Sequence, residues 1–109
     1  MSRLHRIDSS NWKDYFYLNK VYVMFSKSSC EQCEHLELKI NSSENRHSLE
    51  LCKVVLSDSG LAELKMEQKW ISNIDILPFN VIFSGGKMLE SWSGNNFERL
   101  NSKLEKYLI

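Results

Sequence analysis

Val21-Tyr22-Val23-Met24-Phe25-Ser26-Lys27-Ser28-Ser29-Cys30-Glu31-Gln32-Cys33-Glu34-His35-Leu36 is the stretch that decides the reading of this chain. Its first five residues are β-branched, aromatic or otherwise apolar, a run short enough to be a buried central strand. Ser28 and Ser29 follow, and either can cap a helix that begins at the cysteine pair, with Leu36 and Ile40 four apart along it. Two residues between the cysteines let both sulfurs approach within bonding distance when a helix starts at the first. Cys30 then stands at the helix N-terminus, where unpaired N–H groups and the helix dipole favour a thiolate. A thiolate is the attacking species in disulfide exchange; Cys33, one turn in and more buried, is placed to resolve the mixed disulfide.

Outward from this stretch, helices alternate with strands. Residues 3 to 7 carry a weak strand signal, and Ser9 or Ser10 can cap a helix to about Leu18, with Trp12, Phe16 and Tyr15 on its apolar side. After the cysteine helix fades in the polar stretch 41–45, Leu51 to Leu56 reads as a second buried strand. Ser57-Asp58-Ser59-Gly60 turns the chain into a helix through Leu61, Leu64 and Gln68 to about Trp70. The only proline, Pro78, introduces the strand Phe79–Phe83; Gly85-Gly86 signals a tight hairpin into a strand from Lys87 to Trp92. Phe97, Leu100, Leu104 and Leu108 recur at helical spacing in a last helix from near Asn96. The order βαβαβαββα implies an α/β fold: a mixed central sheet with helices on both faces.

Composition bounds the function. One hundred and nine residues make a single domain over 1–109, large enough for a genuine core. Net charge is zero and the basic residues are scattered, so neither nucleic acid nor anionic membrane is an expected partner. The N-terminus, Met1-Ser2-Arg3-Leu4-His5-Arg6, lacks the apolar core of a secretory signal, and Val21–Phe25 is far too short to span a bilayer. A cytoplasmic monomer is expected. Three cysteines cannot all pair with one another, so a close pair points to redox chemistry or a metal rather than a structural staple.

The chain resembles the thioredoxin family from end to end in its order of elements. Ile76-Leu77-Pro78-Phe79-Asn80-Val81-Ile82-Phe83-Ser84-Gly85-Gly86-Lys87 looks like the family's cis-proline strand and hairpin, and Ser93-Gly94 falls where the family has a groove-lining glycine. The resemblance implies a thioredoxin-like fold, a cis bond before Pro78, and a redox-active Cys30–Cys33 disulfide with no other cofactor. It further implies that Leu77 and Pro78 form the edge on which substrate docks, while Gly94 keeps a neighbouring wall low. Protein disulfides are the implied substrates and a thioredoxin reductase, or another electron donor, the implied partner; the role would be electron transport in cell redox homeostasis.

Several positions depart from the family. Its usual Trp-Cys-Gly-Pro-Cys is Ser29-Cys30-Glu31-Gln32-Cys33 here, and Leu38 replaces a helix-kinking proline. Met24 stands where the family commonly has a buried aspartate that handles protons for the resolving thiol; Lys53 corresponds to that aspartate's lysine partner. Without the aspartate, Glu34 and His35 are the nearby side chains with suitable chemistry, His35 having the better intrinsic pKa, although the simpler reading of His35 is an exposed helix residue with no role. Glu31 opposes a thiolate at Cys30 and Lys27 partly offsets it.

Other readings compete. A glutaredoxin-like, glutathione-dependent reductase shares some of the flavour of Phe83–Lys87, but the later double-glycine motif is missing. A thioredoxin-fold binding module with incidental redox activity accommodates the departures. Cys30, Cys33 and His35 could be joined by His5, His47 or Cys52 around zinc, but the second ligand pair of a structural site is missing, and no metal is expected. Cys52, inside a strand, reads as a small buried apolar residue, and Trp12, Trp70 and Trp92 as core or rim aromatics.

Overall fold

Five strands form one sheet in the order β1-β3-β2-β4-β5 in a computed structural model that describes residues 2–43 and 49–107. The strands are β1 (His5–Arg6), β2 (Val21–Ser26), β3 (Glu50–Val55), β4 (Phe79–Ser84) and β5 (Lys87–Ser93). The helices are α1 (Trp12–Phe16), α2 (Glu31–Ser42), α3 (Ala62–Glu67) and α4 (Phe97–Leu104). β1, β3 and β2 run parallel, and β4 is antiparallel to β2 and to β5. The expected βαβαβαββα order and mixed sheet are therefore both present.

Every residue of β2 is buried, as the unbroken run Val21–Phe25 requires. Alternate side chains feed two cores. Val21, Val23 and Phe25 join Trp12, Phe16, Leu61 and Leu64 under α1 and α3. Tyr22 and Met24 join Cys33, Leu36, Ile40, Leu100 and Leu104 under α2 and α4. The hairpin between β4 and β5 turns through Gly85 and Gly86, at φ 59° and 86°, conformations that favour glycine. A Cβ on Gly86 would also meet the Tyr17 ring at 2.7 Å, so Tyr17 closes on the turn only because that side chain is absent.

Local chemistry moves several boundaries. Neither Ser9 nor Ser10 caps α1: the Asp8 carboxylate accepts from the backbone N–H of Ser10 and Asn11, and the helix begins after Asn11. α1 ends at Phe16 rather than near Leu18, and only His5 and Arg6 of residues 3 to 7 form a strand. α3 stops at Gln68, whose backbone leaves helical geometry (φ −112°, ψ 71°), and the chain continues as a 3₁₀ turn over Lys69–Asn73. α4 is capped by the Asn96 side chain, which accepts from Arg99 N–H, and it passes into a 3₁₀ turn over Glu105–Tyr107. Leu108, and residues 44 and 45 of the polar stretch after α2, lie outside the described residues. Among those described, no helix is long and apolar enough to cross a membrane.

One polar group lies in the middle of the sheet. Asn80 is fully buried on β4; its Oδ1 accepts from the Tyr22 hydroxyl at 2.6 Å, and its Nδ2 donates to the carbonyls of Trp92 (3.2 Å) and Gly94 (3.0 Å). Its full satisfaction is what makes burial tolerable. Tyr22→Phe removes one donor and should cost about 1–2 kcal/mol, whereas Asn80→Ala strands the Tyr22 hydroxyl and the Gly94 carbonyl, which faces a proline without an N–H, and should cost about 2–4 kcal/mol. Urea denaturation of the two variants checks both the order and the size.

Candidate functional site: a disulfide at the start of α2

Cys30 and Cys33 are joined in a disulfide with their Cα atoms 5.3 Å apart, within the span such a bridge allows. β2 delivers the chain to this point, and Ser29 turns it through the left-handed region at φ 61°. The loop is tied to the neighbouring β3–α3 turn: Ser57 Oγ accepts from Ser28 N–H at 3.0 Å and lies 3.0 Å from Ser28 Oγ. Neither Ser28 nor Ser29 caps α2. Cys30 itself is the N-cap, and its Sγ accepts the backbone N–H of Cys33 at 3.2 Å. The same donor can stabilise a Cys30 thiolate once the bridge opens, adding to the dipole of a twelve-residue helix.

The two cysteines differ in access. Cys30 is partly exposed, whereas Cys33 is 3% exposed and packs in the core cluster of Tyr22, Met24, Leu36 and Trp92. The Leu77–Pro78 peptide bond is cis. Leu77 is half-buried and packs against both core clusters, joining Cys30 and Cys33 in one of them, while Pro78 is buried. Gly94 N–H donates to the Pro78 carbonyl at 2.8 Å, and the Gly94 carbonyl accepts from Asn80. Gly94 has φ 107°, and a Cβ there would meet nothing within 4 Å, so the surface in front of it is open. The structure thus brings Leu77, Pro78 and Gly94 together on one edge. Asn80, which holds that edge from beneath, gave no sign of this in the sequence beyond being polar in an apolar run.

The sequence candidates for proton transfer separate. His35 is exposed and lines a depression with Leu38, Lys39 and Ser42, away from Cys33. Glu34 is exposed and lines a cavity of about 290 Å³ that Cys33 also lines. Met24 is buried in one cluster with Cys33, and β2 and β3 pair Met24 with Lys53, the register the resemblance needs. Lys53 has a different carboxylate, however: Nζ reaches both Glu37 oxygens at 3.0 Å. Sequence reasoning passed over Glu37; its place four residues beyond Cys33 on the same helix was the available signal.

The remaining candidates have structural surroundings. Cys52 is fully buried, and burial, aided by Glu50, pushes its thiol up to about 12. Trp70 packs its ring on Phe25, Phe79 and Phe83 and donates to Gln68. Trp92 stacks on Tyr22 beneath the Lys103 ammonium. His5 lies 3.3 Å from Glu50, and His47 is outside the described residues. Among the described residues, no three His, Cys, Asp or Glu side chains form a group able to hold a metal.

These features define a disulfide-bearing α/β protein with its cysteine pair at a helix N-terminus beside a cis-proline edge. Solved thioredoxins share the architecture. A thioredoxin of Nicotiana alata is 21% identical, with a TM-score of 0.76 over 99% of this chain and 95% of that one. The oxidised thioredoxin of Plasmodium falciparum is 18% identical, with a TM-score of 0.76 over 97% and 99%. Thioredoxin f2 of Chlamydomonas reinhardtii is 18% identical, with a TM-score of 0.75 over 94% of each chain. No protein-family model matches the sequence, and no curated protein does. The chain has the thioredoxin fold.

Access sets the expected reactivity. Iodoacetamide at neutral pH should label Cys30 of the reduced, folded protein and spare Cys33 and Cys52. Peptide mapping after a short pulse reads the result; preferential labelling of Cys33 would reverse the assignment of roles.

Proposed function

We propose that this chain is a thiol–disulfide oxidoreductase that reduces protein disulfides through the Cys30/Cys33 dithiol. The observation that carries the reading is the asymmetry of the pair: an accessible sulfur at the helix N-cap joined to a buried one, beside an open edge. The Cys30 thiolate attacks a substrate disulfide, forming the Cys30–substrate bond and releasing one substrate sulfur, which takes up a proton. Cys33 then attacks Cys30 Sγ, closing the Cys30–Cys33 disulfide and releasing the second substrate sulfur. The dithiol loses two electrons and the substrate disulfide gains them.

Leu77, Pro78 and Gly94 are the docking edge in this reading. An extended substrate strand lies along Leu77, and the missing side chain at Gly94 leaves it room. The Cys30–Cys33 disulfide serves as the redox centre without another cofactor. A thioredoxin reductase or another dithiol donor returns it to the dithiol, making the chain one carrier in electron transport. The cytoplasm, which keeps exchangeable dithiols reduced, suits that cycle, and a monomer leaves the docking edge free.

Insulin reduction tests the function. The wild type should accelerate precipitation of the insulin B chain with dithiothreitol and should accept electrons from a thioredoxin reductase. Cys30→Ser should fall to the dithiothreitol background, and Cys33→Ser should accumulate mixed disulfides detectable by mass. Turnover only with glutathione would favour the glutaredoxin-like alternative. A folded wild type with no turnover in either system would leave a binding module.

A further inference from the structure

Cys33 cannot attack as a thiol, and its surroundings disfavour the thiolate. It is 3% exposed in an apolar cluster with Met24, and burial raises the cost of a thiol's charged form. Resolution therefore needs a group to take the proton. The cavity of about 290 Å³ that Cys33 lines is walled by charged side chains, so it has both the room and the polarity to hold water.

Helix geometry sorts the carboxylates and the histidine. At about 100° per residue, Glu37 projects about 40° from Cys33 around α2, Glu34 about 100° and His35 about 200°. Glu37 lines the cavity with Cys33, and its carboxylate is held: Lys53 donates to both oxygens at 3.0 Å and the Ser2 hydroxyl to Oε2 at 2.6 Å. These bonds engage Oε2 twice and Oε1 once, leaving Oε1 a lone pair for a water. Glu34 lines the same cavity, but it is exposed. The other charges facing this space are Lys27 from the β2–α2 loop, Arg6 from β1 and Asp58 after β3; the last two are bound to each other at 2.6 and 3.0 Å.

We infer that Glu37, positioned by Lys53, accepts the Cys33 proton through cavity water during resolution of the mixed disulfide. The inference rests on the dithiol reading above. In the step, the Cys33 S–H bond breaks, and the proton passes through water to Glu37 Oε1. The freed thiolate forms the Cys33–Cys30 bond, and the Cys30–substrate bond breaks with its electron pair leaving on the substrate sulfur. Glu37 returns its proton to solvent along the same cavity. Lys53 holds the carboxylate at the wall of the cavity that Cys33 also lines and adds a positive charge that favours the thiolate. A carboxylate on α2 thus does from the helix what Met24 on β2 cannot.

Ellman's reagent separates the steps in one stopped-flow trace. The reduced protein should release one thionitrobenzoate in a phase that scales with reagent concentration, as Cys30 attacks. It should release a second in a phase independent of that concentration, as Cys33 attacks. Glu37→Gln should slow the second phase about tenfold to a hundredfold at pH 7 and leave the first unchanged. The variant and wild type should converge above about pH 9.5, where hydroxide removes the thiol proton directly. Glu37→Asp should recover part of the rate, and Lys53→Met should slow the second phase less than Glu37→Gln. A second phase unchanged in folded Glu37→Gln, a deficit constant across pH, or a loss that appears in Glu34→Gln or His35→Gln instead would overturn the assignment. A wild type with no second phase would overturn the dithiol reading itself, a result distinct from these.

Discussion

Burial of β2 from Val21 to Ser26 is the constraint on which the rest of the structure depends. A strand covered on both faces has no surface along its length, so its chemistry must lie beyond its carboxyl end. The chain leaves β2 at Ser26, turns at Ser29 and enters α2 at Cys30. α2 must then lie back across the sheet to bury Leu36 and Ile40, and this carries Cys33 into the core while Cys30 stays at the rim. The unequal access of the two sulfurs is thus a consequence of helix packing. The difference in role proposed for them rests on it.

The opposite wall of the site depends on a second buried interaction. Asn80 links Tyr22 on the central strand to the carbonyls of Trp92 and Gly94 at the end of β5, and Gly94 in turn donates to the Pro78 carbonyl. The central strand therefore positions both sides of the site, α2 through its carboxyl end and the Pro78 edge through a side-chain hydrogen bond. A polar residue at the middle of a sheet is costly unless satisfied, and here its satisfaction also fixes the edge beside the disulfide.

What was legible in the sequence was local. The apolar run 21–25, the Cys30/Cys33 spacing, the Gly85-Gly86 turn and the proline before an apolar strand each act over a few residues, and each carried its element. Capping was less legible because Asp8 and Cys30 outcompete nearby serines once the loop geometry is set. Long-range pairs escaped altogether. Tyr22 and Asn80 lie 58 residues apart, and their bond follows from the β2–β4 register, which composition does not specify. Glu37 and Lys53 meet only because β3 pairs Lys53 beside Met24 while α2 crosses above. Proximity along the chain made His35 a candidate for proton transfer, and helix rotation sends it to the outer surface, in keeping with its simpler reading as an exposed residue.

In the proposed cycle, one pair, Cys30 and Cys33, alternates between disulfide and dithiol within a fold that otherwise stays fixed. Amide ¹H–¹⁵N spectra of the protein before and after reduction with dithiothreitol test it directly. Shifts should be confined to residues around Ser29–Glu37, Leu77–Phe79 and Ser93–Gly94, with the remaining strands and α4 unmoved. Peaks that do not respond to the reductant, or shifts dispersed through the strands and α4 away from this edge, would contradict it.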